Sequence, residues 1–380
     1  LLSRSDQAIP PSSHQRMAAY ERKRTMADSG IPAGQISRRR FALAVPMLGS
    51  LGLLATPSVW ANAAHAHAAA PLQRASRVLM GTQVDMVVYG ASSSAPALQA
   101  AMERAFAHMQ TLEAMMSRFR SDSVLQQINA QAGKAAVTVP PEMMAVLEQA
   151  RSVWHASNGA FDPTVGALAA WRFEPGVQAM PSTAQISQAL QHIGADKLQL
   201  SAANNTARLT QSGMALDLGG IAKLPILAAG LEALQAQGVE NALINGGGDV
   251  VTMGLNQGKA WRIGIRDPRQ PSQLLGAVAI EGQGVVASSG DYERCFERNG
   301  QRYHHVLNPR TGWPTTQVHG VALVARDVAA VNGWGTALMV QGPAAAPAWS
   351  QRHPEVALLL ADRDGQVWQN ASMAQQLQTA

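Results

Sequence analysis

Two stretches of this 380-residue chain bring acid and glycines together, one of them with a lysine, in patterns that can hold a phosphate. Asp217-Leu218-Gly219-Gly220-Ile221-Ala222-Lys223 sets an acid before a Gly-Gly helix start, with Lys223 in the first turn or two. The free N–H groups of a helix start and a nearby lysine suit a phosphate or diphosphate. An N-capping Asp217 with a solvated Lys223 reads the same residues equally well. In Asn245-Gly246-Gly247-Gly248-Asp249, three glycines between apolar strands let main-chain N–H groups converge on an anion, or simply turn the chain. This loop has neither the spacing nor the following helix of a nucleoside-triphosphate P-loop or a dinucleotide fingerprint.

A third region offers proton transfer. Ser288-Ser289-Gly290-Asp291-Tyr292-Glu293-Arg294 and Tyr303-His304-His305-Val306-Leu307-Asn308-Pro309-Arg310-Thr311-Gly312 flank Asn299-Gly300, a strong hairpin signal. A hairpin sets the ends of its strands side by side, so Asp291 is expected beside the paired histidines. Adjacent strand residues face opposite ways, so at most one histidine faces a given site, and either can instead be a structural residue. Farther on, a helix over Val328–Val340 would set Asn332 and Thr336 one turn apart, oxygens on one face. With a backbone carbonyl they can hold a hard cation such as Mg²⁺, or they form an ordinary polar face. The lone Cys295 excludes an internal disulfide and a cysteine-based metal site, and no neighbouring pattern activates it.

The elements that must position these groups alternate. Arg77–Tyr89 reads as one strand, and Ala95–Met116 as a long amphipathic helix with Leu98, Met102, Ala105, Met109, Leu112 and Met116 on one stripe. A helix opens at Pro140-Pro141-Glu142 and runs to His155; others are expected over Gln185–Ile193, Gly219–Gln237 and Ala344–Arg352. Leu198–Leu209 reads as a hairpin around Asn204-Asn205. Short strands follow over 242–244, 250–253, 261–266, 275–280, 285–288, 292–297, 302–307, 318–324, 356–361 and 367–368. Helices interleaved with mostly antiparallel strands predict an α+β fold.

The body of the chain is neutral. Of 30 basic and 25 acidic residues, positions 1–63 hold eight and three, leaving 22 of each, so the high pI gives no reason to expect a nucleic-acid partner. Ser37-Arg38-Arg39-Arg40-Phe41, an apolar stretch to Trp60 and the Ala-x-Ala sites near residue 64 form the three parts of an export signal of twin-arginine type. Residues 1–66 are therefore read as a leader, 67–75 as a linker and 76–380 as the folded domain, with a periplasmic destination. The Gly and Pro interruptions argue against a stable membrane span once the signal is cleaved.

Met80-Gly81-Thr82, Ser117-Arg118-Phe119-Arg120-Ser121-Asp122-Ser123 with Asn129, Gly159-Ala160-Phe161-Asp162-Pro163-Thr164-Val165-Gly166 and the clusters at 217–223, 245–249, 288–294 and 303–312 occur in one order. In that order they resemble the ApbE family of FAD:protein FMN transferases, over roughly residues 76–361. The resemblance implies a T-fold-related α+β architecture of mixed sheets flanked by helices, with FAD in a cleft between two halves. It also implies Mg²⁺-dependent transfer of FMN from FAD to a threonine or serine of an acceptor flavoprotein domain, with AMP leaving. Met80, Phe119, Ala160, Phe161 and Asp162 would line the FAD pocket, Asp217 and Lys223 would reach the nucleotide, and Leu307 would contact flavin. Gly220, through its carbonyl, Asn332 and Thr336 would hold Mg²⁺; His305 would be the base, supported by Asp291. Combined with the signal, the likeness implies the accessory transferase of nitrous oxide respiration, whose acceptor is a membrane-bound, FMN-carrying regulator.

Two departures touch the implied metal site. The family's usual metal-binding acid is Asn332 here, and a second acid found in some members is Gly335. An amide oxygen holds Mg²⁺ less strongly than a carboxylate. Leu224-Pro225 also stands where the family continues with glycine and an aromatic, and proline disturbs a helix start outside its first turn. A weakened FAD carrier and an FAD pyrophosphatase releasing free FMN are the alternatives.

Overall fold

Alternation builds the central sheet. In the computed structural model, which describes residues 72–90, 94–270 and 272–379, Val84, Met86 and Val88 point inward from one strand and are fully buried. Their strand, β2 (Thr82–Tyr89), pairs antiparallel with β1 (Leu72–Leu79), so the single strand expected over 77–89 is a hairpin. Its tip, Met80-Gly81, takes left-handed φ angles of 54° and 69°, which two-residue hairpin turns require. The turn was hidden because Met is an unusual residue for it.

The chain continues through α1 (Ala95–Met116), α2 (Val124–Ala130), β3 (Val137–Thr138), α3 (Pro141–Ala156) and α4 (Thr183–Leu190). Then come β4 (Leu198–Ser201), β5 (Thr206–Leu209), α5 (Lys223–Gln235), β6 (Asn241–Gly246) and β7 (Asp249–Met253). Strands β8 (Trp261–Arg266), β9 (Leu274–Ile280), β10 (Gly284–Gly290), β11 (Cys295–Arg298), β12 (Gln301–His304) and β13 (Val318–Ala325) follow. The last elements are α6 (Val328–Val331), α7 (Trp334–Gln341), α8 (Ala346–Arg352), β14 (Ala357–Asp362), β15 (Val367–Gln369) and α9 (Ala371–Gln376).

Eight strands form one sheet in the order β1-β2-β6-β7-β10-β13-β14-β15. Every ladder in it is antiparallel, in keeping with the α+β class expected from helices interleaved with mostly antiparallel strands. Helices cover one face: the predicted stripe of α1 is buried, and α5 packs across it. Gly230 allows that approach, since a Cβ there would stand 2.7 Å from Met109 Sδ. The β8–β9 ribbon and α9 cover the other face through Trp261, Ile263, Val278 and Met373. A third, aromatic cluster gathers Trp171 and Phe173 with Phe296 and Tyr303 of the β11–β12 hairpin.

Two local departures bear on the site. The helix expected from Gly219 starts only at Lys223, after a turn in which Ile221 N–H and Ala222 N–H both donate to Leu218 O (3.0 and 2.8 Å). Pro225 thus falls in the first turn, where its missing N–H costs nothing. The helix expected over 328–340 breaks at Asn332-Gly333, where Asn332 is extended and Gly333 has φ 81°. Asn332 and Thr336 therefore do not share a helix face.

Candidate functional site

An open cleft lies where α1, the turn before α5 and the end of β12 meet. Met80, Phe119, Asp217, Lys223, His305 and Leu307 line it, together with Arg118, Trp171, Glu174 and Arg294. Apolar and aromatic walls with a few convergent polar groups are the usual make-up of a small-molecule site.

Each wall is fixed by its neighbours. Met80 N–H donates to Glu113 Oε1 (2.6 Å), and Arg294 donates to Met80 O (3.2 Å), which ties the hairpin tip to α1 and to the segment before β11. Half-burial raises the Glu113 carboxyl above its ordinary value, against the lowering effect of the Met80 N–H. Asn129 exchanges hydrogen bonds with the backbone of Leu216 (2.7 and 3.1 Å) and so sets the neighbouring Asp217. Asp217 accepts from Gly219 N–H (2.8 Å) and from Arg118 (2.7 Å), while Arg118 also reaches Glu174 (3.1 Å). The Arg118 guanidinium lies 4.8 Å from the centre of the Phe119 ring, which is 56% exposed at the cleft. The floor is aromatic: Trp171 stacks on Phe173 (centroids 5.7 Å, planes 8° apart) and on Tyr303 (5.8 Å).

The two histidines separate as strand geometry requires. His304 is buried, with Nε2 2.6 Å from Thr315 O; burial lowers its pKa and makes it a neutral structural residue. His305 has its ring surface open to the cleft, yet protein closes round it. That enclosure, then the charges of Arg294, His304 and Lys223, push its pKa down to about 3. Water in the cleft opposes the enclosure, so the direction is what stands: a neutral ring, free to take a proton.

Asp291 does not support His305. Its Oδ2 lies 2.6 Å from His319 Nδ1 and its Oδ1 is 3.7 Å from Arg302, because residues 291–294 leave the strand as a bend instead of continuing the hairpin ladder. Cys295 is half-buried and burial pushes its thiol up, as expected of a residue that is no nucleophile.

A second, smaller cavity adjoins the cleft and shares Gly219, Lys223 and His305 with it. Gly220, Asn332, Thr336, Ser288, Ser289 and Asp249 line it. The proposed metal residues do converge: a Cβ placed on Gly220 would lie 3.1 Å from Thr336 Oγ1, and Asn332 Nδ2 donates to Ile221 O (2.9 Å) and Gln149 Oε1 (2.8 Å). Both amide donors are thereby used, and Oδ1 is left as the free acceptor. Gly220 O, Asn332 Oδ1 and Thr336 Oγ1 are hard oxygens of the kind Mg²⁺ takes, but none is charged. The acid in this cavity is Asp249, 7% exposed, whose Oδ2 pairs with Lys223 Nζ (2.9 Å) and whose Oδ1 accepts Ser288 N–H (2.8 Å).

Three expected pocket residues lie behind the cleft. Asp162 accepts from Thr164 N–H (2.8 Å), Thr164 Oγ1 (2.5 Å) and Ala195 N–H (3.2 Å), and burial raises its carboxyl. Ala160 and Phe161 are 3% exposed, Phe161 packing under Gly220.

The ApbE family model matches residues 80–360, a span that holds every residue of both cavities. The chain belongs to the ApbE family. Two relatives, both named FAD:protein FMN transferase, come from Treponema pallidum and Klebsiella pneumoniae. The first is 35% identical over 283 residues, 70% of this chain and 78% of the relative; the second is 33% identical over 270, 70% and 82%. The ApbE protein of Thermotoga maritima superposes with a TM-score of 0.75 at 28% identity, over 81% of this chain and all of that one. The Pseudomonas stutzeri flavinyl transferase ApbE superposes with a TM-score of 0.69 at 25% identity, over 82% and 98%. In this ApbE chain, motif reading located both cavities. It missed Glu113, Trp171 and Glu174, whose surroundings carry no local signature, and it missed the pairing of Lys223 with Asp249 across 26 positions. The leader expected over 1–66 and residues 67–71 of the expected linker lie outside the described residues, while residues 72–75 of that linker belong to β1; among the described residues no helix is long and apolar enough to cross a membrane.

Proposed function

We propose that this chain transfers FMN from FAD to a hydroxyl of an acceptor flavoprotein domain, a threonine or serine, and releases AMP. The observation that carries the reading is the convergence of Lys223, Asp217 and neutral His305 where the large cleft opens into a cavity lined with hard oxygens. The names of the relatives point the same way.

In this reading the flavin lies against Trp171, Phe119 and Leu307, and the diphosphate bridge crosses to Lys223. The acceptor hydroxyl attacks the FMN phosphorus, its proton passes to His305 Nδ1 or Nε2, a new P–O bond forms and the P–O bond to AMP breaks. Gly220, Asn332 and Thr336 would hold Mg²⁺, which when bound neutralises developing charge on the diphosphate oxygens. Asp217, fixed by Arg118 and Asn129, orients the nucleotide. Dense negative charge arriving near Lys223 and Arg294 cancels the charges that depress His305, so the bound substrate itself makes the ring a better base.

The leader supports a periplasmic site of action reached by the twin-arginine route, and with it an acceptor facing the periplasm. The membrane-bound, FMN-carrying regulator of nitrous oxide respiration is the specific candidate. Incubation of the purified protein with FAD, Mg²⁺ and that acceptor domain should add the mass of one FMN less one water to one hydroxyl residue; no adduct at any Mg²⁺ concentration refutes the reading. The uncharged donor set at Asn332 and Gly335 favours a weakened FAD carrier as the second reading, in which FAD binds and no adduct forms. Free FMN and AMP without an adduct would mark a pyrophosphatase.

A further inference from the structure

Resting on that reading, we propose that the cation site of this chain is completed by the substrate. Lys223 and Asp249 form an exchangeable pair, and the FAD diphosphate draws Lys223 away and frees the Asp249 carboxylate for the cation.

Four observations carry this. The three residues of that cavity expected to give oxygens to a cation, Gly220, Asn332 and Thr336, are all uncharged. Among the residues lining that cavity, Asp249 is the one acid, and Lys223 Nζ holds its Oδ2 at 2.9 Å. Lys223 borders both the cavity and the FAD cleft, so one lysine can turn from the carboxylate to a phosphate without leaving its place at the start of α5. Asp249 would not follow it, because Ser288 N–H grips its Oδ1 at 2.8 Å from the adjacent strand β10.

The energetics give the exchange its direction. A buried carboxylate that loses its partner is strongly unfavourable. A phosphate that captures Lys223 alone therefore leaves Asp249 uncompensated, and a cation that approaches Asp249 alone meets a site already neutralised by lysine. Either ligand by itself is opposed, and together each removes the obstacle to the other. Such coupling is reciprocal: the factor by which FAD tightens the cation is the factor by which the cation tightens FAD. Where a family member has acids at the positions of Asn332 and Gly335, charge is present before substrate arrives; here the charge is held back by an ion pair.

The test is a titration of the full chain with Mn²⁺, followed by the electron paramagnetic resonance signal of the free ion, without acceptor protein. It is run with no flavin, with FAD and with riboflavin, which has no phosphate. We expect Mn²⁺ to bind at least about 10-fold more tightly with FAD than without, and riboflavin to give no gain. Isothermal titration of FAD with and without Mn²⁺ should return the same factor. Equal Mn²⁺ affinity with and without FAD, or an equal gain from riboflavin, overturns the proposal. Absence of FAD binding under all conditions would instead overturn the functional reading beneath it.

Two variants move in opposite directions. Asp249→Asn should remove most of the coupling and leave only the direct attraction between cation and diphosphate, while FAD still binds without cation. Lys223→Met should let Mn²⁺ bind the flavin-free protein more tightly than the flavin-free parent does. Undiminished coupling in Asp249→Asn, or Lys223→Met that binds Mn²⁺ no better than the flavin-free parent, overturns the assignment.

Discussion

Restoring an acid at position 332 should damage the empty protein. Asn332 is 2% exposed and both of its amide donors are spent, on Ile221 O at 2.9 Å and Gln149 Oε1 at 2.8 Å. Asn332→Asp removes both donations, each worth about 1 kcal/mol net, and leaves a carboxylate oxygen facing the Ile221 carbonyl in a buried site. Gln149 can turn its own amide to donate, which recovers one bond. With a further penalty for the confined charge, the loss is on the order of 3 kcal/mol at neutral pH. Urea unfolding followed by tryptophan fluorescence in EDTA measures it. Such a carboxyl would have its folded pKa above the ordinary value of about 3.9, so the deficit is fully present at high pH and shrinks as pH falls through the folded value. Saturating Mg²⁺ should recover part of it, because the cation binds the folded state alone. A variant within about 0.5 kcal/mol of the parent in EDTA would refute the reasoning, since it would mean that the amide donors do not hold the break between α6 and α7.

Four further outcomes follow, three from the site and one from the leader. His305→Ala should cut FMN transfer by about 10²- to 10⁴-fold and leave FAD binding in place. Because enclosure, then the neighbouring positive charges, hold its pKa below the ordinary imidazole value, the base is neutral in the free protein at neutral pH. Any His305-dependent inflection in the pH profile of kcat/KM should therefore lie below 6.5, and one at or above 6.5 would contradict the downward shift. Trp171→Ala, which empties a site 2% exposed and strands the Gly312 carbonyl that Trp171 Nε1 now bonds at 2.9 Å, should cost about 3–5 kcal/mol in the same unfolding assay. A loss below 1 kcal/mol would mean that the hairpin carrying His305 is held elsewhere. Arg38→Lys with Arg39→Lys should leave the folded protein in the cytoplasm on cell fractionation; unchanged export would remove the twin-arginine assignment.

Much of the fold was legible because α1 shows its buried stripe at helical spacing and Asn204-Asn205 and Asn299-Gly300 announce their turns. The failures have physical causes. Met80-Gly81 turns a hairpin with a residue that carries no turn signal, and the break at Asn332-Gly333 depends on acceptors that the Asn332 amide finds 111 and 183 positions away. Asp291 was assigned to the histidines on chain proximity, but it pairs with His319, which arrives on β13. Local pattern located the clusters, whereas the partners within them are set by sheet order, which no single window of sequence contains.

The cleft is assembled from the hairpin tip at Met80, the end of α1, the 217–223 turn and the segment after β12, lengths of chain drawn from across the sequence. A molecule filling that opening would add contacts between pieces separated by more than two hundred residues. Its departure with the product would remove those contacts and leave only the hydrogen bonds among the walls. Resistance to proteases should therefore rise and fall with each round of loading, and the unloaded protein should be cut first around the loop that carries Trp171 and Glu174.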